Sequence, residues 1–247
     1  MKKYIIRNLV NNGTLLLVTA LQAPLIYAAP DLSIQEFTKA TGLNPGRGAQ
    51  LERTVVAGIY AFRYPTQRPG QCAQFVTSDF RLIANQGIKG WVHLKDRSPL
   101  TLDERRDISQ RMVDAVSGKL IPVGPESKKP EVILISAVDC PYCIKLESKL
   151  MAQNVAYLVV PGALDPANQA VAEAAWQSND AGAAWAKVMA GRGGVSQTLG
   201  KNLKRYPQTE FEDIRCMAGS GTPRAIFPDG RNVFGVEAIL AAITARN

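Results

Sequence analysis

The sequence predicts an α+β domain followed by an α/β domain, and the order of segments in the second half is the main reason. A buried apolar run at 132–138 leads directly into a helical stretch at 144–150, and a second apolar run follows at 155–160. After an alanine-rich helical insertion, the chain ends with a short hairpin at 224–234 and an apolar helix at 236–245. Strand, helix, strand, hairpin and helix in this order are typical of a helix-covered mixed sheet.

The first half predicts a smaller domain with its own sheet. A short helix at 33–39 is followed by strands and a longer amphipathic helix, at 54–62, 74–77, 80–85, 90–95 and 102–116. The next segment, at 118–130, is rich in proline, glycine and charged residues, which is the composition of a loop. We therefore divide the chain into an N-terminal domain at 30–100, a linker helix and loop at 101–129, and a second domain at 130–247.

The first residues, 1–29, have the composition of a secretory signal peptide. A basic start is followed by a mostly apolar stretch at 14–27 and by small residues that end at Ala29, near which we expect cleavage. A retained membrane anchor is the alternative, but the apolar stretch is short and Gln22 and Pro24 interrupt it. The expected location is the periplasm, where an oxidising environment lets cysteine pairs form and persist.

The charge of the chain does not favour a nucleic-acid partner. The formal net charge is +8, but the basic residues are scattered and only Lys201, Lys204 and Arg205 cluster tightly. A solvated helix face explains that cluster better than a phosphate-binding surface does.

The motif Cys140-Pro141-Tyr142-Cys143 identifies the candidate site. A buried strand that enters a helix through C-x-x-C is the thioredoxin-like redox arrangement. Cysteines at i and i+3 share one helix face and can form a reducible disulfide. Cys140 falls at the helix N-terminus, where free N–H groups and the helix dipole stabilise a thiolate. We therefore expect Cys140 to be the attacking thiol and Cys143 to be the buried thiol that resolves a mixed disulfide.

A metal site or an inert disulfide would be the simpler interpretation of C-x-x-C. Structural zinc takes four ligands, and this chain has only four cysteines and one histidine, with no second C-x-x-C. An inert disulfide over so short a loop would constrain the unfolded chain little. We therefore expect a redox pair with no metal and no cofactor.

Thr222 and Pro223 complete the expected site. On the thioredoxin interpretation, Pro223 is the cis-proline that faces the dithiol, because only proline makes a cis bond inexpensive. The backbone of Thr222 would then lie open beside Cys140, where an extended substrate can pair with it. Pro141 and Tyr142 would border the same substrate surface. An ordinary trans-proline at the start of a strand is the alternative.

With these motifs, the chain resembles the periplasmic disulfide isomerases of the DsbC/DsbG type. The resemblance rests on a few segments across most of the mature chain, at 138–146, 157–161, 188–191 and 220–223. It implies a cystatin-like N-terminal dimerisation domain, a helical linker and a thioredoxin-like redox domain with a helical insertion. It also implies a homodimer with two redox sites over one cleft, misoxidised secreted proteins as substrates, and a membrane thiol reductase as partner.

The other cysteines depart from that family pattern. Relatives of the DsbC type carry a second disulfide in the redox domain, with one cysteine after a tryptophan, but here Gln177 follows Trp176. Cys72 and Cys216 are therefore either free or joined across the two domains, and we prefer free, buried thiols. His93 is the only histidine and is assigned no role.

The predicted function is a thiol–disulfide oxidoreductase that isomerises or reduces incorrect disulfides, or reduces sulfenylated cysteines, in secreted proteins. A net dithiol oxidase is the alternative within enzymes, since the sequence does not determine the direction of electron flow. A chaperone-like holdase whose thiol chemistry is secondary is the alternative from another class.

Overall fold

The computed structural model of the protein describes residues 32–67, 71–85, 90–191 and 205–246. The predicted signal peptide, with its cleavage site near Ala29, lies outside these ranges, as do Lys201 and Lys204 of the basic cluster. None of the helices in the described ranges has the length and apolar character needed to cross a membrane.

The first sheet is an antiparallel meander. It follows helix α1 (Ile34–Thr41), which begins with a capping box between Ser33 and Glu36. The five strands that the structure describes here lie in chain order, at β1 (Gln50–Arg53), β2 (Ile59–Arg63), β3 (Gln74–Thr77), β4 (Leu82–Asn85) and β5 (Gly90–His93). Strand β1 was not predicted, because its sequence is polar and it lies mostly exposed at the edge of the sheet.

The second sheet has the predicted thioredoxin-like arrangement. Strands β7 (Ile133–Ile135) and β8 (Tyr157–Val160) pair in parallel, and helix α3 (Pro141–Ala152) connects them. The hairpin of β9 (Arg224–Ile226) and β10 (Asn232–Phe234) lies on the other side of β7. Helix α7 follows at Val236–Thr244 and packs against α3 and β10.

Part of the predicted linker belongs to this second sheet. Helix α2 (Leu102–Val116) is followed by strand β6 (Ile121–Val123), which pairs with β8 at the edge of the sheet. Pro122 and Gly124 indicated a loop in the sequence, but an edge strand tolerates proline because one side of it needs no N–H donor.

Three helices lie between β8 and β9 in the described residues, at α4 (Gln169–Gln177), α5 (Ala181–Met189) and α6 (Gln208–Ala218). The first two form the predicted alanine-rich insertion. Helix α6 was not predicted, although its buried residues Phe211, Ile214 and Met217 follow one another at helical spacing.

The two sheets share a hydrophobic core. One face of the first sheet packs on α1 through a cluster that includes Phe37, Tyr60 and Phe62. Its other face joins α2, α6 and one face of the second sheet in a single buried cluster. The described residues accordingly fall within one compact unit, and α2 and α6 lie between the sheets.

A disulfide and an ion pair also join the first sheet to α6. A disulfide connects Cys72, just before β3, to Cys216 in the last turn of α6. The preference for free cysteines was therefore wrong. The sequence left this pairing as one of two alternatives, because a separation of 144 residues gives no local sign that the fold brings the two cysteines together. Nearby, Arg63 Nη2 lies 2.7 Å from Oδ1 of the buried Asp213.

Candidate active site

The two cysteines of the C-x-x-C motif lie at the N-terminus of α3. Cys140 is the N-cap residue with an extended backbone, Pro141 is at the first helical position, and Cys143 lies in the first turn. Pro141 fits because that position needs no N–H donor. Both cysteines are free thiols, with Cys140 2% and Cys143 0% exposed. The local sequence thus presents Cys140 at the end of a helix and places Cys143 underneath it.

Thr222 and Pro223 lie against this dithiol, as the sequence predicts. The peptide bond between them is cis. The Sγ atom of Cys140 lies 3.7 Å from the carbonyl oxygen of Thr222, so the thiol donates to a backbone acceptor that is 82 residues away in the chain. The structure therefore brings Thr222 and Pro223 beside the motif that holds the other four predicted site residues, Cys140, Pro141, Tyr142 and Cys143.

The loop before Pro223 has a shape that few sequences could adopt. Gly221 has φ +88°, and a side chain at this position would meet the Phe234 ring at 2.7 Å. Arg224 holds the loop from behind, since its Nη2 donates to the carbonyl of Ser220 at 2.7 Å and its Nη1 to Asn232 Oδ1 at 3.1 Å. Gly221 is thus required twice, for its conformation and for its lack of a side chain.

The environment of Cys143 differs from that of a surface thiol. Burial raises the pKa of the Cys143 thiol to about 12. Cys143 is therefore a protonated thiol at neutral pH. This fits the predicted division of roles, in which Cys143 acts only after Cys140 has reacted.

Asp139, next to the motif, organises a neighbouring loop. Its carboxylate accepts hydrogen bonds from the backbone N–H groups of Leu164 and Asp165, both at 2.7 Å, and from Asn168 Nδ2 at 3.1 Å. Burial acts to raise the pKa of Asp139, but these donors outweigh it and the pKa is lowered. An ionised Asp139 thus fixes this loop beside the start of α3.

Large apolar side chains around the site are exposed. Tyr142, Leu164 and Phe234 are 66%, 60% and 54% exposed. Tyr142 belongs to the motif itself, Leu164 to the loop held by Asp139, and Phe234 lies against Gly221. Sequence reasoning named only Tyr142, because apolar residues in a loop and in a short strand give no sign that they are exposed.

A buried carboxylate lies one helical turn below Cys143. Glu147 is 0% exposed, and its carboxylate accepts hydrogen bonds from Ser136 Oγ, Tyr157 OH and Trp185 Nε1. Burial raises the pKa of Glu147 to about 7, and the three donors limit that rise. Sequence reasoning took Glu147 as an ordinary helix residue and Trp185 as packing. A glutamate four residues after Cys143, on the same helix face, was the available signal.

His93 lies outside this arrangement. Its Nε2 atom is 3.1 Å from Oε2 of Glu104, near the start of α2. Glu104 also accepts the N–H of Thr101 in the capping box that begins this helix. His93 therefore contacts the capping box of α2 and lies away from the dithiol.

The chain matches no protein-family model and no curated protein. Solved structures resemble it over about half of its length. A disulfide interchange protein from Neisseria gonorrhoeae is 24% identical with a TM-score of 0.42, and the alignment covers 51% of this chain and 95% of that one. A linker-deletion mutant of Proteus mirabilis ScsC is 15% identical with a TM-score of 0.38, covering 59% and 86%. A periplasmic thioredoxin-like protein from Salmonella enterica serovar Typhimurium is 18% identical with a TM-score of 0.37, covering 57% and 95%.

Proposed function

We propose that this protein is a thiol–disulfide oxidoreductase that isomerises or reduces incorrect disulfides in exported proteins. The observation that carries the proposal is the contact between the Cys140 thiol and the Thr222 carbonyl, 3.7 Å apart beside the cis bond to Pro223. This contact supports the proposal, because Cys140, the proposed nucleophile, lies beside backbone groups with which we expect an extended substrate to pair.

The reaction follows from the positions of the two thiols. The thiolate of Cys140 attacks one sulfur of a substrate disulfide, which forms a mixed disulfide and releases the other substrate sulfur as a thiolate. In isomerisation, another substrate thiolate attacks the mixed disulfide and restores Cys140. In reduction, Cys143 attacks Cys140 Sγ and releases the second substrate thiolate, so that two electrons pass from the dithiol to the substrate.

The exposed apolar side chains suit an unfolded client. Tyr142 belongs to the motif, Leu164 to the loop that Asp139 holds, and Phe234 lies against Gly221, two residues before Pro223. A misfolded chain exposes apolar side chains near its cysteines, and these can pack on such a surface. The same side chains favour a chaperone-like contribution, which is the second candidate.

Replacement of single cysteines separates these candidates. Cys140→Ser is expected to abolish reactivation of a scrambled multi-disulfide client, while Cys143→Ala is expected to retain client bound to Cys140 as a mixed disulfide. Client recovery that survives undiminished in Cys140→Ser would contradict the enzyme and support the holdase. Equilibration of the wild-type dithiol with glutathione buffers then decides between isomerase or reductase and net oxidase, since a strongly oxidising potential favours the oxidase.

We further propose a periplasmic location, a homodimer, and a membrane thiol reductase that keeps the pair reduced. In the described residues the outer side of β5 pairs with the segment at Ser98 and Pro99, so β1 is the more open edge of the first sheet. Pairing of β1 with a second copy across a two-fold axis would satisfy its edge. Light scattering on the mature chain tests the dimer, and a monomer would contradict it.

A further inference from the structure

The loop at 219–222, which precedes the cis-proline, has little main-chain hydrogen bonding to hold it in place. It connects the end of α6 to the start of β9. In the described part of the chain, Ser220, Gly221 and Thr222 form no hydrogen bond with another main-chain group. The contact from Cys140 Sγ to the Thr222 carbonyl is made by a side chain. Side chains therefore hold the backbone on which an extended substrate is expected to pair.

The side chains that bond to this loop come from the hairpin of β9 and β10. Arg224 Nη2 donates to the carbonyl of Ser220 at 2.7 Å, and Arg224 Nη1 donates to Asn232 Oδ1 at 3.1 Å. Asn232 Nδ2 donates in turn to the carbonyl of Ala218 at 2.6 Å, where α6 ends. One arginine and one asparagine thus fix two carbonyls on the approach to Thr222.

The absence of side chains in the loop lets Arg224 and Phe234 lie directly against it. A side chain at Gly219 would approach the guanidinium carbon of Arg224 to 3.3 Å, and one at Gly221 would approach the Phe234 ring to 2.7 Å. The same guanidinium carbon lies 5.1 Å from the centroid of the Phe234 ring, within the range of a cation–π contact. Arg224 therefore contacts both the loop and the exposed ring beside it.

An arginine is a costly choice for packing at this position. Among the described residues it has no carboxylate partner, its Nε atom is buried without an acceptor, and burial lowers the pKa of its guanidinium. A methionine would fill similar space without the cost of a partly desolvated cation. What methionine lacks is the planar set of donors that reaches Ser220 and Asn232 at the same time.

We propose that Arg224 is a positioning residue that sets the backbone of Thr222 for pairing with an extended client chain. The inference rests on the proposed exchange reaction and concerns its first step, the binding of a polypeptide disulfide beside Cys140. A small disulfide has no peptide backbone to pair with the loop, so it gains nothing from a fixed Thr222. Arg224 therefore favours polypeptide disulfides over small ones.

Two mixed disulfides of thionitrobenzoate, one with an extended cysteine peptide and one with methanethiol, test this in the full mature chain carrying Cys143→Ala. Cys140 attacks the peptide or methyl sulfur and stays bonded to it, while coloured thionitrobenzoate leaves as a thiolate. The reaction stops there, because no resolving thiol remains. Arg224→Met should raise the half-saturating peptide concentration about tenfold, the scale of one hydrogen bond to a charged group, and change the rate with the methyl disulfide by less than about twofold.

Arg231→Met is the matched control, because Arg231 belongs to the turn end of the same hairpin. It pairs with Asp229 at 2.8 Å and lies 4.8 Å from the centroid of the Phe227 ring, so it has a similar environment away from the loop. This variant should change neither reaction. Arg224→Lys keeps the charge but lacks the planar set of donors, and it should recover only part of the loss seen in Arg224→Met.

The milder variant Asn232→Ala removes the bond to Ala218 and should raise the half-saturating peptide concentration in the same direction. An unchanged half-saturating concentration in Arg224→Met, or an equal loss with both disulfides, would overturn the proposal. The second result would mean that Arg224 supports the fold or the reactivity of Cys140 in general. If Cys140→Ser still released thionitrobenzoate from the methyl disulfide, the exchange reaction itself would be wrong, which is a different outcome.

Discussion

Removal of the disulfide between Cys72 and Cys216 is expected to destabilise the folded chain strongly. The bond closes a loop with a sequence separation of 144 residues. Loop-closure entropy for a loop of that length is worth up to roughly 5 kcal/mol, and native proteins commonly realise about 2–4 kcal/mol of such a value. The shared core around α6 remains when the bond is absent, so the chain should still fold.

Urea unfolding of the oxidised protein, followed by tryptophan fluorescence, measures this effect. The free energy of unfolding of the double variant Cys72→Ala/Cys216→Ala should fall by about 3–4 kcal/mol relative to wild type. With Cys143→Ala added to both proteins, so that no second disulfide can form at the dithiol, a reductant is the matched control: it should lower the chain that keeps Cys72–Cys216 to the level of the variant and leave the variant unchanged. Equal stability of wild type and variant without reductant would refute the reasoning, since the bond would then add no constraint to the unfolded chain.

Three further predictions concern the ion pair of Arg63 with Asp213, the buried Glu147, and the two thiols of the C-x-x-C motif. Arg63→Ala leaves the carboxylate of Asp213 buried without its partner and should lower the free energy of unfolding by about 3 kcal/mol. Adding Asp213→Asn to Arg63→Ala should recover part of this loss, which a double-mutant cycle measures. Because the pKa of Glu147 is raised to about 7 in the folded state, its contribution to stability is present below its ordinary pKa and is lost as pH rises through 7. The difference in unfolding free energy between wild type and Glu147→Gln should therefore change by on the order of 3 kcal/mol across that window, and a flat difference would contradict the shift. Iodoacetamide at mildly acidic pH should label Cys140 before Cys143, as mass spectrometry of peptides would report; preferential labelling of Cys143 would reverse their roles.

Local patterns in the chain were sufficient to predict where the two thiols of the candidate site lie. The apolar run before Cys140, the proline after it and the helical spacing beyond it predict a dithiol at a helix N-terminus without any knowledge of the tertiary structure. The cis bond before Pro223 was predicted from the thioredoxin interpretation and from the position of this proline just before the hairpin, since proline is the residue that allows a cis bond at low cost. The structure confirms the helix N-terminus at Cys140 and the cis bond at Pro223.

The residues around the dithiol could not be predicted as well from the sequence. Leu164 and Phe234 were not expected at the site, because exposure depends on which loops the fold brings together. Strand β6 was taken for a linker, because its proline is acceptable only at the edge of a sheet, and a sequence does not show which strand lies at the edge.

The sequence by itself predicted a C-x-x-C dithiol at a helix N-terminus and the order of elements that carries it. Only the tertiary structure decided that Cys72 pairs with Cys216, that the two sheets share a core, and that Ser136, Tyr157 and Trp185 surround Glu147. The physical reason is the same in each case. Periodicity and turn chemistry act over a few residues, whereas these contacts join segments far apart in the chain, and burial creates their energetic consequences only after the chain has folded.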